Sequence, residues 1–176
     1  MSEKPPAYLG IDPGKNGACC AIIYTTERKN GIVYTRDVIF LDWPKDNTMA
    51  QIVGSLHLLQ CQYNICGTVL EKVSAMPGQG VTSMFSMGQN FGRWEGILAS
   101  LGIPYETLPP QTWRKGIVTK KDGDNPKAAV RTVIERLFPA IMTRLTGPKG
   151  AYKDGRGDAL LIAWSACIRH RGGVNA

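Results

Sequence analysis

Four carboxylates stand where a chain leaves its core. Asp12 closes an apolar run in Gly10-Ile11-Asp12-Pro13-Gly14, and Glu71 closes another in Val69-Leu70-Glu71-Lys72. Asp154 and Asp158 open a helical stretch, Lys153-Asp154-Gly155-Arg156-Gly157-Asp158-Ala159-Leu160-Leu161. Their four-residue spacing puts both on one face of a helix. Taken singly, each has an ordinary reading. Asp12 is a turn residue before Pro-Gly, Glu71 a solvated strand end, Asp154 a helix N-cap and Asp158 a first-turn acid complementing the helix dipole. Taken together they suggest chemistry. Carboxylates crowded into one cleft repel each other and need cations, and hard oxygen ligands suit Mg²⁺ or Mn²⁺. Two such ions about 4 Å apart activate a water and stabilise the leaving oxygen of a phosphodiester. The condition is that the strands ending in Asp12 and Glu71 are neighbours.

The elements that must position these acids are legible in outline. Tyr8–Asp12 reads as a short buried strand, followed by a Pro-Gly and Asn-Gly turn over 13–17. Ala18–Thr25 and Ile32–Leu41 are β-branched, apolar runs joined by a polar segment ending in Asn-Gly, a hairpin signal. The chain thus opens as a three-stranded antiparallel meander. A helix is expected over Thr48–Gln60, with Ile52, Leu56 and Leu59 on one face, then a strand over Gly67–Val73. A loop over Ser74–Thr82 leads to a second helix, Ser83–Leu101, carrying Gly88, Gly92 and Gly96 at every fourth position. Three mid-helix glycines cost about 1 kcal/mol each against alanine. Close approach of another backbone would offset that, from the sheet, another helix or a second subunit, with packing inside the chain the favoured choice. Pro104–Leu108 reads as a fifth strand, Pro110–Lys115 as a helical turn, Val118–Asn125 as a basic loop and Pro126–Phe138 as a helix with proline at its first position. A loop over Leu145–Lys153 precedes the last helix, Gly155–His170. Long helices joining strands make those strands parallel. The expected fold is therefore α/β: a mixed five-stranded sheet, three antiparallel strands then parallel ones, flanked by helices in a ribonuclease H-like arrangement.

The 176 residues fit one domain over 1–176, with 1–6 as a loose tail. A composition of 43% hydrophobic and 20% charged residues excludes a disordered chain. No apolar run approaches the ~20 residues of a membrane span, and the start lacks the apolar segment of a signal peptide, so a cytoplasmic location is expected, in a bacterial or phage-infected cell or an organelle. The five cysteines are odd in number and form no CxxC pair, which points to buried free thiols rather than disulfides or zinc. Net charge is +7, unevenly spread. Residues 1–110 hold eight Lys/Arg against nine Asp/Glu, whereas 111–176 hold thirteen against five. A basic excess confined to the last third suggests a polyanion, most often nucleic acid. An acid cluster beside a basic surface points to a metal-dependent nuclease.

Several other patterns fall short. Gly10-Ile11-Asp12-Pro13-Gly14-Lys15-Asn16 has three residues between its glycines and Asn where a P-loop has Ser or Thr. Asp122-Gly123-Asp124-Asn125 opens like a calcium loop, but its twelfth position is Val133 where glutamate is needed. His57 and His170 lie far from the acids in sequence and suit packing or surface roles. A two-domain sugar-kinase or actin-type ATPase opens with a similar Asp-x-Gly hairpin but needs twice this length.

The strand–Asp-Pro-Gly opening, the Glu71 strand and the terminal Asp-Gly-Arg-Gly-Asp-Ala-Leu-Leu-Ile-Ala helix resemble the RuvC-type Holliday junction resolvases, over roughly Tyr8 to Ala166. The likeness is closer to their phage and chloroplast branch, which also has a Gly-rich helix like Met87–Leu98 and a segment like Pro110-Gln111-Thr112-Trp113 between the second and third acids. The resemblance implies a homodimer that nicks four-way DNA junctions symmetrically with two Mg²⁺ ions per active site, Mn²⁺ being an alternative. It implies in-line attack by water, leaving a 3′-hydroxyl and a 5′-phosphate. Asp12, Glu71 and Asp158 match the first, second and last acids. In the bacterial pattern the third acid lies three residues before the last. Position 155 is Gly here, so the resemblance points instead to Asp154. The loop Met76–Thr82 with Met84 and Phe85 stands where family members insert an apolar wedge at the junction centre; the alternative is that Phe85 is a core residue. Lys120 and Lys121 are expected to track phosphates or simply to face solvent. Arg156 either holds the scissile phosphate or screens Asp154 and Asp158. Two other readings are a monomeric RuvC-like nuclease acting on RNA or branched DNA, and a catalytically silent junction-binding module.

Overall fold

In the computed structural model, described over residues 4–29, 32–43, 48–74, 78, 80–147 and 150–171, five strands make one sheet. The strands are β1 (Pro6–Asp12), β2 (Ala18–Lys29), β3 (Ile32–Asp42), β4 (Asn64–Glu71) and β5 (Glu106–Leu108). Their spatial order is β3-β2-β1-β4-β5. β1 pairs antiparallel with β2, as does β2 with β3, while β1–β4 and β4–β5 are parallel. The expected meander and the mixed sheet are both present. The helices are α1 (Met49–Gln62), α2 (Val81–Ser100), α3 (Pro110–Arg114), α4 (Pro126–Leu137) and α5 (Asp154–Arg171).

Period-two alternation along the strands feeds two cores. Leu9, Ile11, Cys19, Ala21 and Leu70 face one side and pack on Ile52, Leu56 and Leu59 of α1 and Trp94, Ile97 and Leu98 of α2. Tyr8, Cys20, Ile22 and Val69 face the other side, under α4 and the apolar run Ala159–Ala163 of α5. The chain is thus three layers, with helices on both faces of the sheet. α5 lies directly on β1, because Gly10 has no side chain. A Cβ there would overlap the backbone of Ala159 and Ala163.

The structure departs from sequence-based expectation in four places. The tail over 1–6 is not loose from Lys4 onward: Lys4 Nζ donates to the Gln60 carbonyl at 2.8 Å, Asn64 N–H donates to the Pro5 carbonyl at 2.9 Å, and Pro6 begins β1. Among the described residues the helix-four glycine spacing has no close partner, since a Cβ at Gly88, Gly92 or Gly96 would meet nothing within 4 Å. Two short 3-10 helices, Lys120–Asp122 and Pro139–Leu145, occupy stretches without a clear period. Cys61 and Cys66 are exposed, and the other three cysteines are buried; all are free. The hairpin turn at Asn30-Gly31 and the residues Met76 and Pro77 of the expected wedge loop lie outside the described residues. Among the described residues no helix is long and apolar enough to cross a membrane.

Candidate active site

The two central strands bring the first two acids together. β1 and β4 run parallel with Ile11 opposite Leu70, so the next residues along, Asp12 and Glu71, emerge side by side at the same end of the sheet. The third acid arrives from above. Gly155, in the first turn of α5, sits against the turn that follows Asp12; a Cβ there would overlap the Asn16 carbonyl. That contact, with the Gly10 contact one layer below, sets Asp158 over the two strand ends. It also explains why residue 155 is not an acid in this chain: the position has no room for any side chain.

The cluster is short of positive charge. Burial pushes the Asp12 carboxyl up to about 7; the Gly14 N–H, donating to Oδ1 at 2.8 Å, opposes this, while the charges of Glu71 and Asp158 add to it and Arg114 subtracts. Asp158 is pushed up to about 6, again mainly by burial, with Arg114 opposing and Glu71 and Asp154 adding. Glu71 is also raised by burial, against a hydrogen bond from Trp113 and the charge of Arg114. Each of the three carboxyls thus holds its proton more tightly than usual, chiefly through burial, with neighbouring carboxylates adding to it at Asp12 and Asp158 and Arg114 opposing at all three.

Asp154 stands apart at the rim. It is half-buried and ion-paired with Lys127 at 2.7 Å, and its charge reaches Asp158, one helical turn away. Among the described residues, no group of three His, Cys, Asp or Glu side chains is drawn together closely enough to hold a metal ion. The donor set nevertheless fits one. Hard carboxylate oxygens with raised proton affinity and insufficient countercharge are what a hard divalent cation relieves.

The cation at the acids is not the one expected. Arg156 donates through Nε and Nη2 to Asp42 at 2.6 and 2.8 Å and through Nη1 to the Arg144 carbonyl at 2.7 Å. It lies over the Phe40 ring and neither screens Asp154 and Asp158 nor faces the cleft between them. Instead, Arg114 at the end of α3 reaches Asp158 at 3.6 Å, stacked over the Trp113 ring at 4.8 Å. Its Nε is buried with no hydrogen-bond partner among the described residues. The Trp113 indole N–H donates to Glu71 Oε1 at 2.9 Å. The signal for both was the Pro110–Trp113 segment, whose place between the acids was visible but whose contacts were not.

Around the site, Lys120 and Lys121 are exposed on their 3-10 turn. Met84 is half-buried, and Phe85 is 70% exposed at the start of α2, beside Val81 at 78%. Phe85 is therefore not a core residue. His57 is exposed on α1, and His170 packs against Gly67 and approaches Glu106 at 3.5 Å, both away from the acids.

No family model matches the sequence, and no curated protein matches it. Solved structures do. The chain is similar to Thermus thermophilus RuvC in complex with Holliday junction substrate, at 15% identity and a TM-score of 0.56, over 98% of each chain. It is similar to the fowlpox virus Holliday junction resolvase at 13% identity and a TM-score of 0.50, over 97% of this chain and 99% of that one. It is also similar to the yeast mitochondrial Holliday junction resolvase at 16% identity and a TM-score of 0.52, over 98% of this chain and 82% of that one. The chain therefore has the ribonuclease H-like fold of the RuvC-type Holliday junction resolvases.

Proposed function

We propose that this protein is a divalent-metal-dependent, structure-selective endodeoxyribonuclease that resolves four-way DNA junctions by paired symmetric nicking, acting as a homodimer. The observation that carries the reading is that Asp12 and Glu71 stand side by side at one end of the sheet of a RuvC-type fold, with Asp158 close enough for its charge to act on Asp12 and for that of Glu71 to act on it. Those three residues, joined by Asp154 once Lys127 lets go of it, would hold Mg²⁺ or Mn²⁺, two ions per site. Bound there, such ions supply activation of a water and neutralisation of charge on the phosphodiester.

The chain's own residues supply the rest. Arg114, its side chain partly exposed and its Nη2 end beside Asp158, would meet a phosphate oxygen entering there. Lys127 sits at the rim, where a DNA backbone would compete with Asp154 for its ammonium. Lys120 and Lys121, exposed on their 3-10 turn, are free to make further phosphate contacts. Phe85, with Met84 behind it, is an exposed apolar side chain suited to stack on bases unpaired at a junction centre. The open face of Gly88, Gly92 and Gly96 permits a second copy's helix to approach closely.

The test uses end-labelled four-way junction, linear duplex and single strand, each with and without Mg²⁺, resolved on a denaturing gel. Paired nicks at symmetric positions in the junction, dependent on metal, are expected. Tight junction binding without nicking would replace the enzyme with a silent binding module. Equal cutting of the other substrates, or of structured RNA, would replace it with a general nuclease.

A further inference from the structure

Glu71 is the odd member of the acid cluster. It carries one more methylene than the aspartates and so has more ways to point, and it sits at a strand end just past the last residue paired with β1. The chain returns to it twice. Leu108 of β5 pairs beside it, and the Lys72 N–H donates to the Leu108 carbonyl at 2.8 Å. Two residues after Leu108, α3 begins with Pro110 at its first position, and one turn later Trp113 lies over Glu71, only 1% exposed. Its indole makes two contacts of different kinds. The N–H edge donates to Glu71 Oε1 at 2.9 Å, and the ring face carries the Arg114 guanidinium that pairs with Asp158.

We propose that Trp113 is a positioning residue: its indole N–H fixes one oxygen of Glu71 so that the other is presented to the cation site, and its ring face holds Arg114 toward Asp158. The inference rests on the metal-site reading of Glu71. The indole suits the task because its N–H is a donor only and cannot turn into a competing ligand. Its rigid ring, locked in the α4–α5 core, cannot swing away. A hydrogen bond that orients a ligating carboxylate is worth about ten- to a hundredfold in metal affinity or activity.

Two measurements test it. In metal-free protein, the Trp113 indole ¹H–¹⁵N resonance should shift on Glu71→Gln; an unmoved resonance overturns the hydrogen bond itself. Free Mn²⁺ measured by electron paramagnetic resonance should then show Trp113→Phe binding about tenfold more weakly than wild type, with junction cutting restored by raising the metal concentration. Trp94→Phe is the control for a lost buried indole, since Trp94 is equally buried but packs in the opposite layer against Trp43. It should leave Mn²⁺ affinity unchanged. Equal weakening in both variants, or none in Trp113→Phe, overturns the inference alone. Wild-type protein that binds no Mn²⁺ overturns the metal reading, and this inference falls with it.

Discussion

Asp12 is the residue on which the site's electrostatics turn. Its folded pKa of about 7 lies above the ordinary carboxylate value of 3.8, so the folded protein holds this proton more tightly than the unfolded chain does. Stability from that proton is complete below about pH 4 and is lost as pH rises through about 7; Asp158 adds a loss of the same sign up to about 6. Metal-free protein should therefore melt at a lower temperature at pH 8 than at pH 5.5. Mg²⁺ should raise the melting temperature more at pH 8, which calorimetry reads directly; a larger metal effect at pH 5.5 would contradict the cluster. Asp12→Asn keeps an acceptor for the Gly14 N–H while removing the charge. It should melt higher than wild type in EDTA at pH 8, bind junction DNA normally and cut it at least a thousandfold more slowly by an order-of-magnitude expectation for losing a group that holds the catalytic ions. At this scale the sequence was informative where an acid follows an apolar run. It was misleading at Arg156, which lies between two site acids in the chain but about 200° around the helix from Asp158. Arg114 and Trp113 were not legible as site residues, because their roles depend on α3 folding back over the end of β4, a tertiary contact that local patterning does not encode.

α5 reaches the sheet through two glycines, and this contact decides where Asp158 stands. Gly155→Ala would drive a methyl into the Asn16 carbonyl, lifting the start of α5 off the turn after Asp12. Overpacking against fixed backbone costs about 1–3 kcal/mol or more, so urea denaturation should show a loss near the upper end, with metal affinity falling in parallel. Gly155→Asp should not supply a ligand at the three-residue spacing; it should destabilise at least as much. Stability equal to wild type in both would mean that the close contact does not exist in solution. At the level of elements the strand order was readable, because an antiparallel meander followed by strand–helix–strand units leaves few arrangements. The 3-10 segments were not, being too short to show a period. The glycine row of α2 was readable as a close-approach surface, but periodicity cannot say whether the approaching backbone belongs to the same chain.

The charge of the whole molecule gives a further expectation. The basic excess after Gln111 reaches the acids through Arg114 and Lys127 and includes the exposed Lys120 and Lys121, so binding should release counterions. Junction affinity measured by fluorescence anisotropy should fall about a hundredfold between 50 and 200 mM salt. Lys120→Ala and Lys121→Ala should each lower the slope of log affinity against log salt by about one; an affinity indifferent to salt would remove the basic surface from DNA binding. The proposed paired nicking would add a geometric demand that one chain cannot meet, because a four-way junction offers two equivalent strands and the described residues form one acid cleft. A twofold dimer meets it, and its interface must place the same patch of each subunit against itself. The exposed row of Gly88, Gly92 and Gly96 on α2, with Phe85 and Val81 at its leading end, leaves the open space that such a patch needs. Gly92→Ala fills open space and replaces a poor helix former, so in an isolated chain it should be neutral or stabilising by up to about 1 kcal/mol. Gly92→Lys should leave the fold intact, as circular dichroism would show, yet give a monomer mass by sedimentation at micromolar concentration. On the junction it should produce single, unpaired nicks. A Gly92→Lys protein that still sediments as a dimer and cuts in symmetric pairs would move the interface to another face of the molecule.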